Sequence, residues 1–284
     1  MANVLKGKPV SDKLKEDLIV KVNELKERNI TPTLAIIRLG ENDSDISYEK
    51  GATKRCNEIG IEVKNVLLPL DVSQDKLLDE INKLNNDSSI HGILLFRPLP
   101  KHLDQQLIRN AISPKKDVDG CTDSSLAGIF TNTNIGYAPC TAEAALEILD
   151  FYNIDVKSKN VTIIGRSLVI GRPISMLLMH RNATITICHT KTMNIEEIAK
   201  KADIIICATG EMEKVNKNYV SSNQTIIDIG IKWNEEKQKL CGDCLYEEVE
   251  PIVENITPVP GGVGSVTTSV LAKHVVDAAS RIWN

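Results

Sequence analysis

Apolar residues recur along the chain with the spacing first of a helix and then of buried strands. Within residues 11–28, four apolar residues lie three or four positions apart: Leu14, Leu18, Val22 and Leu25. This spacing predicts an amphipathic helix with one buried face. Compact apolar runs that end at glycine or polar residues predict buried strands. The first half of the chain is thereby predicted to form strands over 33–39, 62–68 and 90–96, and helices over 43–59 and 74–85.

A second, similar series begins near residue 160. An apolar run over 161–165 predicts a strand that enters a glycine turn and then a helix over 170–180. Further strands are predicted over 183–188, 203–208 and 224–229, and a final helix over 265–281. Alternating strands and helices are typical of parallel sheets covered by helices. We therefore predict two α/β lobes, the second a doubly wound Rossmann-type domain, with the boundary near residues 138–143.

Composition fits this prediction and excludes several classes of protein. A chain of 284 residues is long enough for two domains of ordinary size. A composition of 42% hydrophobic and 25% charged residues is typical of a soluble globular protein. The net charge of −4 is spread along the chain without a basic block, so we expect no nucleic-acid partner. No apolar run has the length of a signal peptide or a membrane span, so we expect no membrane association.

Seven cysteines, an odd number scattered through predicted strands and helices, favour a reducing, cytoplasmic environment. The pair Cys241 and Cys244 has CxxC spacing, but no second pair or nearby histidines follow it, as a zinc site requires. The pair also sits in a short polar turn and does not open a helix. We predict two ordinary thiols there and no metal site.

A glycine turn between strand and helix is the first candidate binding site. The segment Gly165-Arg-Ser-Leu-Val-Ile-Gly171 follows the strand over 161–165. Glycines at such a turn let backbone N–H groups and the helix N-terminus approach a pyrophosphate. The spacing differs from the usual GxGxxG, so a tight turn that merely needs glycine remains an alternative on this motif alone.

The end of the next strand bears on which dinucleotide is bound. NAD-preferring sites usually place a carboxylate there, whereas this strand ends Cys188-His189-Thr190-Lys191. Arg166 in the glycine turn, with Thr190 and Lys191, would suit a 2′-phosphate, because arginine is permanently charged and donates two parallel hydrogen bonds. The sequence therefore predicts NADP as the cofactor. The turns over 208–210 and 228–231 follow further strands and are predicted to flank the nicotinamide side. The segment over 257–264 is rich in proline and glycine, which fixes a particular backbone path before a helix.

Several segments taken together resemble the bifunctional methylenetetrahydrofolate dehydrogenase/cyclohydrolase family. They occur in order over nearly the whole chain: Ser47-Tyr48, Asn57-Glu-Ile-Gly60, Gly92-Ile-Leu-Leu95, Pro98-Leu-Pro100, Lys116-Asp-Val-Asp-Gly120, Pro139-Cys-Thr141, Gly165-Arg-Ser167, His189, Asp228-Ile-Gly230 and Thr257-Pro-Val-Pro-Gly-Gly-Val-Gly264. The resemblance implies a folate-binding lobe over 1–139, an NADP-binding Rossmann domain over 140–264 and a cleft between them. It also implies a final helix over 265–284 that packs back on the first lobe, and a homodimer.

The resemblance also implies roles for individual residues. Tyr48 would stack on the rings of the folate, Asp119 would hydrogen-bond the pterin edge, and the turn Pro260-Gly261-Gly262 would close over the substrate. A half-buried helix tyrosine and a turn aspartate are the plainer interpretations of the first two. The predicted cofactor-binding residues are Gly165, Arg166, Ser167, Gly171, His189, Thr190 and Ile231.

Two departures from the family pattern bear on catalysis; two others are Arg97, where the pattern has leucine, and Ser265, where it has proline. The family has a lysine four residues after the tyrosine, on the same helix face, and that lysine is held to drive the cyclohydrolase step; here the position is Ala52. Lys50 and Lys54 lie about 200° away around the helix and cannot substitute. The glutamine that hydrogen-bonds this lysine in the family is replaced by Phe96.

The substitutions change which activity we expect. Hydride transfer from 5,10-methylenetetrahydrofolate to NADP needs mainly alignment, whereas hydrolysis of the 5,10-methenyl product needs general acid–base catalysis. We therefore predict an NADP-dependent dehydrogenase of one-carbon metabolism with weak or absent cyclohydrolase activity. Arg97 is a weaker candidate for positioning water or steadying a carboxylate, because arginine rarely acts as a base.

Three alternatives remain at this point. The chain could be fully bifunctional and produce 10-formyltetrahydrofolate through an unrecognised proton carrier. It could be a two-lobed amino-acid or hydroxy-acid dehydrogenase, although this leaves Tyr48, Asp119 and the Pro-Gly-Gly turn unexplained. It could also be a non-catalytic NADP-binding regulator, which would have no need of a pterin pocket.

Overall fold

The computed structural model describes residues 1–281. The strands are β1 Asn3–Val4, β2 Thr33–Leu39, β3 Glu62–Leu68, β4 Gly92–Leu95, β5 Asn160–Ile164, β6 Thr184–Cys188, β7 Ile204–Cys207, β8 Thr225–Asp228, β9 Lys232–Asn234, β10 Lys239–Cys241 and β11 Asn255–Ile256. The α-helices are α1 Gly7–Glu27, α2 Asp43–Ile59, α3 Gln74–Asn86, α4 Gln105–Asn110, α5 Asp123–Thr131, α6 Cys140–Phe151, α7 Gly171–His180, α8 Ile195–Lys200, α9 Tyr246–Val249 and α10 Thr267–Ser280. The last three residues of the helix predicted over 265–284 lie outside the described residues.

The chain divides into two compact units. The N-terminal unit contains Lys13–Cys140 together with the residues from Thr268 onward, and the C-terminal unit contains Met1–Asp12 and Thr141–Thr267. The expectation that the first lobe begins at residue 1 is therefore wrong for the first twelve residues. β1 pairs in parallel with β11 and so belongs to the sheet of the C-terminal unit. A strand of two residues is too short to show any periodicity in the sequence.

The N-terminal unit is built on a three-stranded parallel sheet with the order β3-β2-β4. Every residue of the central strand β2 is buried, which explains its unbroken apolar run. α10 belongs to this unit, where the Nδ1 atom of His274 lies 2.8 Å from the carbonyl oxygen of Val118. The last helix therefore contacts the loop that follows β4, close to the candidate substrate residues.

The C-terminal unit contains a six-stranded, wholly parallel sheet with the order β1-β11-β8-β7-β5-β6. The chain passes from β5 to β6 on one side and places β7 on the other side of β5, so the strand order reverses at β5. In open α/β sheets ligands bind at such a switch point, beyond the carboxyl ends of the strands. The Rossmann-type prediction is confirmed. The hairpin of β9 and β10 and the short helices α4, α8 and α9 were not anticipated, because three- to six-residue elements carry little periodic signal.

No helix within residues 1–281 is both long enough and apolar enough to cross a membrane.

Candidate active site

The glycine turn after β5 is shaped by two close backbone approaches. Gly165 has a φ of 131°, and a Cβ atom there would lie 2.0 Å from the carbonyl oxygen of Ala208. A Cβ atom on Gly171 would lie 2.2 Å from the carbonyl oxygen of Gly165. Ser167 Oγ accepts a hydrogen bond of 3.1 Å from the N–H of Ile170, which orders the turn before α7. The glycines therefore let helix and turn pack closely, as a pyrophosphate site requires.

A cavity of about 550 Å³ opens beside this turn, at the carboxyl ends of β5, β6 and β7. Five of the predicted cofactor residues line it: Gly165, Arg166, Ser167, His189 and Thr190. Gly171 and Ile231 are not among the lining residues; Gly171 shapes the turn from behind. Lys191, expected near the 2′-phosphate, is also not among them. The volume and the cradle of close-packed glycines fit a dinucleotide.

Sequence reasoning missed part of this cavity. The lining residues that it did not single out include Thr192, Asn194, Ile195, Glu196, Glu211, Lys214 and Tyr219. They lie in the loops and short helices that follow β6 and β7. Because parallel strands end at the same edge of a sheet, the topology brings these loops together, whereas no local motif marks them. Thr209, which also lines the cavity, belongs to the turn over 208–210 that the sequence did indicate.

The loop after β6 is closed by its own hydrogen bonds. The N–H of His189 donates to Thr192 Oγ1 over 3.0 Å, and the N–H of Lys191 donates to Nδ1 of His189 over 3.1 Å. The imidazole is thereby fixed at the cavity wall by backbone geometry. Arg166 and Lys214 bring positive charge to the lining, and Glu196 and Glu211 bring negative charge, with Lys214 Nζ 3.4 Å from Glu211. Residues 188–192, at the end of β6, include no carboxylate.

Two buried aspartates hold together the strand ends next to this cavity. Asp228, at the end of β8, accepts from three backbone N–H groups: Gly230 at 3.0 Å, Asp243 at 3.0 Å and Cys244 at 2.9 Å. Asp243 Oδ2 in turn accepts from the N–H groups of Thr209 at 2.5 Å and Gly210 at 3.1 Å. We call Asp228 and Asp243 the aspartate clasp. Through it, the turns over 208–210 and 228–230 are both anchored to the loop over 242–244.

Burial raises the pKa of Asp228 to about 7, although the three N–H donors act in the opposite direction.

The thiols near Asp228 include those of the CxxC motif, Cys241 and Cys244. All seven cysteines are buried and none forms a disulfide, and Cys244 lies 3.3 Å, sulfur to sulfur, from Cys207. Within residues 1–281 no group of His, Cys, Asp or Glu side chains is arranged to hold a metal ion. The CxxC motif thus consists of buried thiols beside the aspartate clasp.

In the N-terminal unit, a second pocket of about 260 Å³ brings together residues from α2, the end of β4 and the loop after it. Tyr48, Phe96, Arg97 and Asp119 line it, with Asp45, Leu94 and Leu95. The Tyr48 and Phe96 rings meet edge to face, with 5.8 Å between their centroids and 88° between their planes. This contact fixes the tyrosine ring against an apolar wall, which suits a residue expected to stack on an aromatic ligand.

In the loop over 116–120, two charged residues hold the loop in its conformation and a third lines the substrate pocket. Lys116 Nζ donates to the carbonyl oxygens of Leu84 and Asp87, near the C-terminal end of α3. The carboxylate of Asp117 is fully buried and accepts three hydrogen bonds, from Cys121 N–H, Thr122 N–H and Ser125 Oγ–H. Asp119 alone lines the pocket. The motif therefore uses two charged residues to shape the loop and presents the third.

Asp119 is paired with Arg97, whose Nη2 donates to its Oδ2 over 3.0 Å. Burial raises the pKa of the Asp119 carboxyl; Arg97 opposes this shift and the negative charge of Asp117 adds to it. Both side chains keep 24% of their surface exposed, so a ligand can reach them. Sequence reasoning named both residues but did not foresee that they pair.

Phe96 lines this pocket at the position where the family pattern has glutamine, whereas Ala52, at the lysine position, is not among the lining residues. Ala52 is completely buried, one helical turn after Tyr48. Lys50 and Lys54 lie on the exposed face of α2, as expected from the helical spacing. Arg55 Nη1 forms an ion pair with Glu58 Oε2 at 3.4 Å. None of these three basic residues lines the pocket with Tyr48 and Asp119.

The Pro260-Gly261-Gly262 turn belongs to the C-terminal unit. Pro260 and Gly261 are exposed, and the carbonyl oxygen of Gly261 accepts from the N–H of Gly7 over 2.8 Å. Ser265, where the family has proline, donates through Oγ to the carbonyl oxygen of Gly262 over 2.7 Å. The turn is therefore held by its flanks while its tip is accessible to solvent.

Comparison with known proteins decides the family. Residues 5–119 match the model of the tetrahydrofolate dehydrogenase/cyclohydrolase catalytic domain, and residues 139–283 match that of the tetrahydrofolate dehydrogenase/cyclohydrolase NAD(P)-binding domain. The chain belongs to the tetrahydrofolate dehydrogenase/cyclohydrolase family. It is thus an enzyme, and its C-terminal unit carries the family's NAD(P)-binding domain.

Similar proteins cover the whole chain. The bifunctional protein FolD of Clostridioides difficile is 46% identical over 275 residues, covering 97% of this chain and 96% of its own. FolD of Clostridium botulinum is 46% identical over 281 residues, covering 99% of each chain. The crystal structure of the bifunctional FolD of Campylobacter jejuni is 37% identical, with a TM-score of 0.95 and 99% coverage of both chains. The family resemblance stated from the motifs is confirmed, and the hydroxy-acid dehydrogenase alternative is not supported.

Proposed function

We propose that this enzyme oxidises 5,10-methylenetetrahydrofolate to 5,10-methenyltetrahydrofolate with NADP as hydride acceptor, and that its cyclohydrolase activity is weak or absent. The observation that carries the proposal is a contrast between two pockets. The cofactor cavity has its glycine cradle and Arg166, whereas apolar residues stand at the family's lysine and glutamine positions: Ala52, buried one helical turn after Tyr48, and Phe96, which lines the substrate pocket.

NADP is favoured over NAD by the charges at the cavity. Arg166 lines it, and residues 188–192, directly at the end of β6, include no carboxylate to hold ribose hydroxyls; the carboxylates of the lining, Glu196 and Glu211, lie further along the chain. The structure of a related enzyme from Trypanosoma brucei, described as complexed with NADP and an inhibitor, is 29% identical, with a TM-score of 0.92 and coverage of 99% of this chain and 98% of its own. When bound, NADP would supply the hydride acceptor. The glycine turn and α7 would bind its phosphates, and Arg166 would hold the 2′-phosphate.

On the substrate side, we assign three roles. Tyr48, its ring braced by Phe96, would stack on the folate rings and set the angle of the reacting carbon. Asp119 would accept hydrogen bonds from the pterin. The Pro260-Gly261-Gly262 turn would close over the substrate. Hydride transfer then needs no proton donor from the protein, because the substrate nitrogen lone pair assists departure of the hydride.

The hydrolytic step has different needs. Water must be activated and a proton delivered to a ring nitrogen, and a positioned acid–base group typically contributes about 10²–10⁴-fold to such a step. Ala52 cannot supply one, and Phe96 makes the adjacent wall apolar. Of the two carboxylates that line this pocket, Asp119 is already engaged by Arg97, and Asp45 lies in the first turn of α2. These features support a dehydrogenase that releases the methenyl product.

Full bifunctionality is the second candidate, favoured by the names of the similar proteins. The FolD proteins of C. difficile and C. botulinum are both called bifunctional and share 46% of their residues with this chain. Under this alternative another group would carry the proton, and the enzyme would produce 10-formyltetrahydrofolate.

One assay distinguishes the two candidates. Purified enzyme is mixed with 5,10-methylenetetrahydrofolate and NADP, and NADPH and the methenyl product are followed together. We expect both to rise in step, with the methenyl product persisting as long as it does without enzyme. Faster disappearance of the methenyl product would establish cyclohydrolase activity and contradict the second half of the proposal. Absence of NADPH would contradict the first half.

We further propose that the enzyme is a homodimer, as the family resemblance implies. β3 is an edge strand of the N-terminal sheet, and near its end Leu67 and Leu70 are 58% and 61% exposed. Exposed apolar residues along a sheet edge suit pairing with a second copy. Light scattering should give twice the 31.3 kDa mass of one chain; a monomer mass at micromolar concentration would contradict the dimer.

A further inference from the structure

The Arg97–Asp119 pair combines a donor and an acceptor on one wall of the substrate pocket. Arg97 Nη2 donates to Asp119 Oδ2 over 3.0 Å, and both residues line the pocket beside Tyr48. A carboxylate oxygen has a second lone pair, and a guanidinium carries five N–H donors in one plane. The contact between the two residues therefore leaves each with hydrogen-bonding capacity for a ligand.

The Nε atom of Arg97 is buried and has no hydrogen-bond partner within residues 1–281. The nearby Asp117 does not satisfy it; its carboxylate accepts from Cys121, Thr122 and Ser125 instead. A buried donor without a partner costs free energy, and in native proteins such a group commonly serves a functional role. Its position in a pocket lined by an aromatic ring and a carboxylate points to a polar ligand.

The pattern of donors and acceptors on this wall matches one edge of a pterin. A 2-amino-4-oxopteridine presents two donors, the 2-amino group and N3–H, and next to them one acceptor, the 4-oxo oxygen. Asp119 supplies acceptors for the two donors, and Arg97 supplies a donor for the oxygen. Leucine, which the family pattern has in place of Arg97, would leave the oxygen without this partner.

We propose that Arg97 is a specificity-determining residue that donates a hydrogen bond to the 4-oxo oxygen of the pterin while it orients Asp119 toward the 2-amino group and N3–H. This inference rests on the proposed function, because it assumes that a folate occupies the pocket. It extends that function by assigning the recognition of the oxo group to a side chain outside the family pattern. Because burial raises the pKa of Asp119, the guanidinium also helps to keep that carboxylate ionised.

A matched pair of ligands tests the proposal. Folic acid carries the 4-oxo group, and aminopterin differs from it at the pteridine by a 4-amino group, which removes both the acceptor and N3–H. Binding of each to the full-length enzyme is measured by calorimetry at pH 7.5 for the wild type, Arg97→Leu and Arg97→Lys. Arg55→Leu is the control, because Arg55 lies on the same unit but does not line the pocket.

We expect Arg97→Leu to weaken folic acid binding about tenfold or more and aminopterin binding less than about twofold. Arg97→Lys should recover part of the preference for folic acid over aminopterin, because lysine keeps the positive charge but lacks the planar N–H donors of the guanidinium. Arg55→Leu should behave as the wild type. Retained NADP binding would show that the C-terminal unit of each variant is folded, and an unchanged thermal unfolding profile would show the same for the N-terminal unit.

Three results would overturn the inference: equal weakening of both ligands by Arg97→Leu, tighter folic acid binding by that variant, or no binding of either ligand by the wild type. The outcome is separable from that of the proposed function. A wild-type enzyme that discriminates between the ligands through Arg97 but forms no NADPH would retain the inference and refute the dehydrogenase. An active dehydrogenase whose Arg97→Leu variant still discriminates between the two ligands as the wild type does would support the proposed function and refute the inference.

Discussion

The two pockets of this enzyme differ in how closely they follow their family. In the C-terminal unit, Gly165 and Gly171 lie so close to neighbouring backbone that a Cβ atom on either would come within about 2 Å of a carbonyl oxygen. The aspartate clasp holds the neighbouring strand ends. In the N-terminal unit, Ala52, Phe96 and Arg97 all depart from the family pattern within one pocket wall and the adjacent helix turn.

The two pockets differ because one is formed mainly by backbone groups and the other by side chains. A cofactor cradle is made of backbone groups, so changes there are sterically costly whatever the reaction. A substrate pocket presents side chains on α2 and at the end of β4, and these can change without disturbing the sheet. The family's fold is thus maintained, and under the proposed function the acid–base chemistry of one pocket is altered.

The largest expected effect is a gain of cyclohydrolase activity when the family residues are restored together. In the double variant A52K/F96Q, we expect hydrolysis of 5,10-methenyltetrahydrofolate to rise about 10²-fold or more, since a positioned acid–base group contributes about that much. The rate of decay of the methenyl absorbance measures it. Because Ala52 is completely buried, A52M/F96Q is the control for added bulk without an amine. An equal gain in both variants would mean that the lysine is not the missing group.

A smaller effect is expected at the cofactor cavity. Arg166→Ala should lower kcat/KM for NADP about tenfold or more and leave kcat/KM for NAD nearly unchanged, since only NADP carries the 2′-phosphate that a guanidinium can bind. Steady-state kinetics with both cofactors measure this ratio. Lys191→Ala is the matched control, because Lys191 follows the same strand end but does not line the cavity. Equal losses with NADP and NAD would contradict the assignment of Arg166.

The smallest effect concerns stability and the aspartate clasp. Asp228 has a pKa of about 7 in the folded protein, whereas an aspartate in an unfolded chain loses its proton near pH 4. Between these values the folded state binds more protons, so this residue makes the free energy of unfolding fall as pH rises from about 4 to 7, by up to about 1.4 kcal/mol per pH unit. Above pH 7 its contribution no longer changes.

Urea denaturation of the wild type and Asp228→Asn at pH 5.5 and 7.0 measures this dependence. We expect the wild type to lose more stability than the variant between the two pH values, whatever their absolute stabilities. An equal change in both proteins would mean that Asp228 is already ionised at pH 5.5, and that the three N–H donors outweigh its burial.

The sequence by itself determined the alternation of strands and helices, the glycine turn and the family, and it predicts two substituted positions. These features are encoded locally: periodicity reports which face of an element is buried, and a motif reports which backbone conformation is needed. The helix spacing of Tyr48, Ala52 and Lys50 also predicted correctly which of them face the same side.

Only the tertiary structure decided which distant residues meet. It joined β1 to β11 and brought Arg97 to Asp119, Asp243 to Thr209, and Cys244 to Cys207 rather than to its sequence neighbour Cys241. Each contact joins segments that come together only at the shared edge of a parallel sheet or in the loops beyond it. No local pattern encodes such a meeting, because it depends on the order in which strands are placed across the sheet.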